Sequence, residues 1–150
     1  MHLSAIDRKI LNSIQEDIPL KSQPFKELSK QVGIEEEELL RKIETFKEQG
    51  IIRTFAAGLN HKRLGFLSTL VGLRVSLDDA DAIAGEFAKY SEVTHCYLRE
   101  GDFNLWMVFL CLEKEKLDNF LKRLAEKVGK ENILNLRTKK KFKLRSRLKI

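Results

Sequence analysis

Apolar positions along the chain recur at helical spacing up to Phe46 and at strand spacing in much of the remainder. Ile6, Ile10, Leu11 and Ile14 share one face of a predicted first helix, opened by Ser4 and closed by Pro19. Phe25, Leu28 and Val32 predict a short second helix ending at Gly33. Leu39, Leu40, Ile43 and Phe46 predict a third, running from about Glu35 to a C-cap at Gly50. With a short strand expected over Ile51 to Ala57, residues 1–57 read as a winged helix-turn-helix.

A connector, 58–65, carries His61 beside Lys62 and Arg63. Beyond it, Phe66 to Ser76 predicts a strand, and a helix capped near Asp78 turns Ala80, Ile83, Ala84 and Phe87 inward. A hairpin comes next, then a helix from about Lys114 with Leu117, Phe120, Leu121, Leu124 and Val128 at helical spacing, and a strand from about Ile133. The order β-α-β-β-α-β predicts a ferredoxin-like domain over 66–150, an antiparallel sheet with both helices on one side. The fold class is α+β.

The hairpin, Val93 to Phe109, reads VTHCYLREGDFNLWMVF. A central Gly101-Asp102 turn sets Arg99 opposite Asn104, Tyr97 opposite Trp106 and His95 opposite Val108. Alternation then places Thr94, Cys96, Leu98, Leu105, Met107 and Phe109 on the core face. The other face, left open by the helices, carries His95, Tyr97, Arg99, Asn104 and Trp106, a set suited to a flat, aromatic, anionic ligand. A Tyr-Trp cross-strand pair is also ordinary sheet stabilisation. An open aromatic face of this kind marks an interface, and oligomerisation is expected.

Charge sharpens this picture. The net charge is +6, yet Arg137, Lys139, Lys140, Lys141, Lys143, Arg145, Arg147 and Lys149 contribute 8 of the positive charges, and without them the rest would stand at 6 − 8 = −2. The final strand would present these cations at mostly odd positions, a ladder for several carboxylates or phosphates or a charged edge that blocks aggregation. At the start of the third helix, where a DNA-reading unit places groups that meet phosphates, stand Glu35, Glu36, Glu37 and Glu38. DNA binding is not expected. No apolar run approaches the ~20 residues of a membrane span and MHLSAIDRK lacks the apolar core of a secretory signal, so a cytoplasmic protein is expected. Cys96 and Cys111 face different partners, and no disulfide is expected. Walker, GxGxxG, HExxH and GxSxG motifs are absent from the chain.

The helix-turn-helix pattern, the connector GIIRTFAAGLNHKRLG and the half containing HCYLREGDFNLWMV together resemble the Lrp/AsnC family along nearly the whole chain. LNHKRLG and THCYLR resemble its sirohaem decarboxylase branch, which serves alternative haem and haem d1 biosynthesis, and TKKKFKLRSR resembles the basic end of the d1-pathway members. The resemblance implies conversion of sirohaem to didecarboxysirohaem by loss of the carboxylates of two acetate side chains, in a complex of paralogous subunits or a homodimer. In that setting His95 is the candidate acid or axial ligand to the substrate iron, with His61 the second catalytic candidate. Tyr97 and Trp106 would contact the ring, and Arg53, Arg99, Asn104, Lys141 and Arg145 would hold its polar groups. No external cofactor is required, because the iron belongs to the substrate. Only Glu100 to Phe103 separate the arginine from the asparagine, a shorter segment than many of these decarboxylases carry. In that setting the subunit either holds the catalytic groups or completes a site on a paralogous partner. The alternative is an Lrp/AsnC-type transcriptional regulator with a small-molecule effector.

Overall fold

The computed structural model describes residues 2–143 and 147–150, which form two compact units. The first contains three helices, α1 (Ala5–Glu16), α2 (Pro24–Val32) and α3 (Glu36–Glu48). Ser4 and Asp7 form a reciprocal cap at the start of α1. The Ser4 Oγ accepts the Asp7 backbone N–H at 3.1 Å, and the Asp7 carboxylate accepts that of Ser4 at 2.9 Å. At the end of α2, Gly33 takes φ +87°, and its N–H and that of Ile34 both reach the Ser29 carbonyl. Ile10, Leu11, Leu28, Leu39, Ile43 and Phe46 make the core. Leu40, expected inward, is 42% exposed, because the neighbouring helices cover only the side of α3 that carries Leu39, Ile43 and Phe46.

Two sequence expectations fail here. Residues 51–57 form no strand; the N–H groups of Ile51 and Ile52 fold back onto the Phe46 carbonyl, and among its described residues this unit offers no strand with which a wing could pair. Residues 143–150 group with the first unit rather than with the ferredoxin-like domain. Asn12 and Gln15, one turn apart on α1, each pair with both the N–H and the oxygen of a backbone residue, Asn12 with Ile150 and Gln15 with Leu148.

The second unit, Gly58–Phe142, runs β1 (Leu67–Leu73), α4 (Leu77–Phe87), β2 (Val93–Leu98), β3 (Leu105–Cys111), α5 (Lys114–Val128) and β4 (Ile133–Arg137). The sheet order is β2-β3-β1-β4 with every neighbouring pair antiparallel, the ferredoxin-like arrangement. Helices α4 and α5 pack on one face, where Val71, Leu105, Met107 and Phe109 meet Phe87 and Phe120. The Phe109 and Phe120 rings stack at 4.2 Å. Residues 58–65, expected as a linker, group with this unit and form a turn in which the Phe66 N–H donates to the His61 carbonyl.

The long basic strand does not form. β4 ends at Arg137, opposite Thr69, and the described residues beyond it are irregular and exposed through Lys143. Three consecutive lysines, Lys139 to Lys141, have low strand propensity and repel one another at an edge. Among the described residues no helix is long and apolar enough to cross a membrane.

In the first unit, Lys42 donates to the Asp7 carboxylate at 2.8 Å, tying α3 to the cap of α1. This bond, with the two from Ser4, holds the Asp7 pKa at about 2 against an ordinary 3.8. A lowered folded-state pKa means that the stabilisation is fully present above the unfolded value and is lost as pH falls through the folded one. Thermal unfolding monitored by circular dichroism should therefore show Asp7→Asn less stable than wild type at pH 7. The difference should shrink as pH falls from about 4 towards 2.

Candidate functional site

The hairpin pairs in the register expected of a Gly-Asp turn: His95 with Val108, Cys96 with Met107, Tyr97 with Trp106 and Leu98 with Leu105. Gly101 sits at the tip with φ +120°, a conformation that favours glycine. On the open face His95, Tyr97 and Arg99 succeed one another along one edge. The His95 and Tyr97 ring centroids lie 5.9 Å apart, and the Arg99 guanidinium lies over the Tyr97 ring at 5.5 Å. All three are exposed.

Trp106 is half-buried because it lies against the sheet. Its ring covers Gly72, the residue opposite it on β1, so closely that a Cβ on Gly72 would stand 2.8 Å from the indole. Its Nε1–H donates to the Phe103 carbonyl at 2.7 Å, which fixes the ring and ties down the turn. Leu70, Val108, Leu134 and Leu136 continue this face across the sheet, and the result is a flat apolar floor with a histidine and an arginine at its β2 edge.

Three placements differ from the alternation. Asn104 is only 9% exposed; its amide donates to the Val75 carbonyl at 2.8 Å and accepts the Val75 N–H at 3.1 Å. It fastens the hairpin to the chain beyond β1. Thr94 leaves the core face because the ladder shifts register between Val93 and His95. Leu98, also expected inward, is 51% exposed on the edge strand.

The Thr94 shift supplies what alternation does not show. The Thr94 hydroxyl donates to the Val108 carbonyl at 3.3 Å and lies 3.0 Å from His95 Nδ1. With its hydrogen directed at Val108, the hydroxyl is placed to accept from His95 Nδ1–H, the tautomer that would leave the lone pair of Nε2 free. That is the nitrogen left to meet a ligand.

The other predicted residues lie elsewhere. His61 is half-buried in the turn before β1, at the end of the sheet remote from the hairpin tip. Arg53 is exposed in the first unit, Lys141 is exposed beyond β4, and Arg145 lies outside the described residues. Among the described residues no cluster of three His, Cys, Asp or Glu side chains could hold a metal ion. Cys96 and Cys111 are both free thiols, and burial pushes both up from the ordinary thiol range. Gly72, Phe103 and Thr94 were absent from the sequence-based set. A glycine inside the strand LVGLRV signals a close approach, whereas nothing local marks the other two.

Two family models match the chain, a siroheme decarboxylase NirDL-like HTH domain over residues 7–53 and an AsnC-like ligand binding domain over 63–143. The siroheme decarboxylase alpha subunit of Desulfovibrio desulfuricans is 36% identical over 143 residues, covering 95% of this chain and 82% of that one. The chain belongs to the sirohaem decarboxylase family. One solved family structure is titled the siroheme decarboxylase NirDL in co-complex with an iron-uroporphyrin III analogue. It aligns at 36% identity and TM-score 0.66, over 88% of this chain and 44% of that one. Escherichia coli AsnC, at 21% identity, TM-score 0.80 and 97% and 98% coverage, shares the fold.

Within this sirohaem decarboxylase family member, Gly72→Ala should force the indole off the sheet, because the new methyl would meet its ring at 2.8 Å. The expected cost is about 1–3 kcal/mol. Trp106 is the chain's single tryptophan, so its fluorescence reports the displacement directly. An unchanged emission spectrum would mean that Gly72 does not set the ring's position.

Proposed function

We propose that this chain is a sirohaem decarboxylase subunit whose hairpin face binds the tetrapyrrole. The observation that carries this reading is the flat Trp106 floor bordered by His95 and Arg99, in a chain 36% identical to a named siroheme decarboxylase subunit. The Trp106 and Tyr97 rings supply apolar contact for a planar macrocycle, and Arg99 supplies a charged donor for a rim carboxylate. Each decarboxylation breaks the bond between a methylene and its carboxylate. Carbon dioxide leaves, the bonding pair passes to the methylene carbon with the macrocycle as electron sink, and a proton completes the methyl group. The protein's share is to orient and desolvate the carboxylate and to deliver that proton.

His95 is the proposed acid in its imidazolium form: it gives the Nε2 proton to the methylene carbon and returns to the neutral ring, whose Nδ1–H stays on Thr94. Nε2 also suits axial ligation of an iron already held by the macrocycle, which is all a single histidine can do towards a metal. No external cofactor enters this scheme. His61, Arg53, Lys141 and Arg145 are secondary candidates. Partner subunits of related fold are part of the proposal, supported by relatives named as subunits and by a related chain about twice this length. The product is didecarboxysirohaem, which would serve haem or haem d1 formation.

The regulator reading is weaker. Escherichia coli AsnC shares the fold at only 21% identity, and the acids Glu36, Glu37 and Glu38 occupy the first turn of α3, the element that would have to approach a polyanion.

The test is anaerobic incubation of sirohaem with the complete assembly, and then mass analysis of the pigment. Loss of two carbon dioxide units is expected. His95→Ala should lower turnover by roughly a hundredfold or more, the range for a lost general acid, with an unchanged circular dichroism spectrum because the side chain is exposed. An unchanged rate would remove His95 from the mechanism. Unaltered pigment together with retardation of a promoter fragment would replace the enzyme by the regulator.

A further inference from the structure

The tie between Trp106 and the turn also organises an arginine at the end of β1. Phe103, whose carbonyl accepts the indole N–H, turns its ring beneath Arg74, and the Arg74 guanidinium lies 4.9 Å from the ring centroid. Arg74 directly follows the buried Leu73, the last residue of β1; extending the alternation one residue past the strand gives it the face of Trp106, and its side chain is exposed. Its backbone N–H donates to the Asn132 carbonyl at 2.9 Å, which keeps it in line with the sheet.

Arg74 and Arg99 stand in line just past the ends of β1 and β2. The Arg99 N–H donates to the Asn104 carbonyl at 2.7 Å, and the Asn104 N–H donates to the Leu73 carbonyl at 2.9 Å, so Asn104 lies between the two arginines. Two strand intervals set their backbones about 10 Å apart. Each guanidinium rests on an aromatic ring, Arg99 on Tyr97 and Arg74 on Phe103, and among the described residues neither is paired with a carboxylate. Both are exposed, and the next row of the sheet, Tyr97, Trp106 and Gly72, is the aromatic floor.

We propose that Arg74 is a second carboxylate-binding residue of this site, which with Arg99 grips two acid groups spaced along the rim of one planar ligand. The proposal rests on the tetrapyrrole reading of the hairpin and adds a determinant of specificity to it. A ring with a single carboxylate, or with its acids esterified, would lose the two-point grip. Arginine suits the role because its planar fork meets a carboxylate with two parallel bonds, which lysine cannot do.

The test is an anaerobic absorbance titration of the full chain, in its assembly with co-purifying subunits, using sirohaem and its fully esterified derivative. Arg74→Gln should weaken sirohaem binding roughly tenfold, as for loss of one charge-assisted pair, while the ester binds wild type and variant alike. Arg74→Lys should fall between wild type and Arg74→Gln. If Arg74→Gln binds sirohaem as tightly as wild type while Arg99→Gln does not, the role of Arg74 is overturned and the site stands. If wild type itself leaves the sirohaem spectrum unchanged, the tetrapyrrole reading falls and this proposal with it.

Discussion

The alternation of one central strand governs the second unit. β3 lies between β2 and β1, and it sends Leu105, Met107, Phe109 and Cys111 under the two helices, all at 2% exposure or less. Trp106, Val108 and Leu110 must then face away from the helices. A slip of one residue would exchange the two sets, so burial of the first set specifies the position of the second. Pairing carries that decision outward, to Tyr97 and His95 on one side and to Gly72 and Leu70 on the other. The open face is thus a consequence of core packing and needs no interactions of its own to form.

What this face lacks is cover, and what it gains is rigidity. The indole is held by Gly72 beneath it and by the Phe103 carbonyl at its edge, while Asn104 commits its amide to Val75. A flat surface fixed in this way binds a planar ligand without first having to order its own side chains. Such preorganisation fits a reaction in which the macrocycle takes up the electrons and the protein's main work is orientation. The first unit keeps the three-helix shape of a DNA-binding domain, with acids at the start of its third helix.

Much of this was legible in the residues. Gly101-Asp102 and the alternation around it gave the hairpin register pair by pair, and helical spacing located α1, α2, α3 and α5 within a few residues. Several of the failures arise because alternation ignores what a backbone does with its partners. Thr94 left the core face because of a shift in the ladder, and Asn104 turned to Val75 because two main-chain groups there needed partners. Ile51 to Ala57 had strand-like composition but no strand to pair with, and the basic run beyond Arg137 had the parity of a ladder but too many adjacent like charges. Arg99 could be named as a candidate from the hairpin alone. Arg74, the residue proposed beside it, could not be, because its relation to that face passes through Phe103 and a sheet pairing distant in sequence.

The most direct test of the central claim is to locate the bound pigment. In the assembled protein labelled with nitrogen-15 in this chain alone, a paramagnetic ferric tetrapyrrole broadens amide resonances of residues close to its iron. Binding on the open face predicts that Gly72, Tyr97, Trp106 and their neighbours are lost from the spectrum, while α4 and α5, on the other side of the sheet, stay sharp. Broadening confined to α4 and α5, or to the three-helix unit with the hairpin untouched, would contradict it.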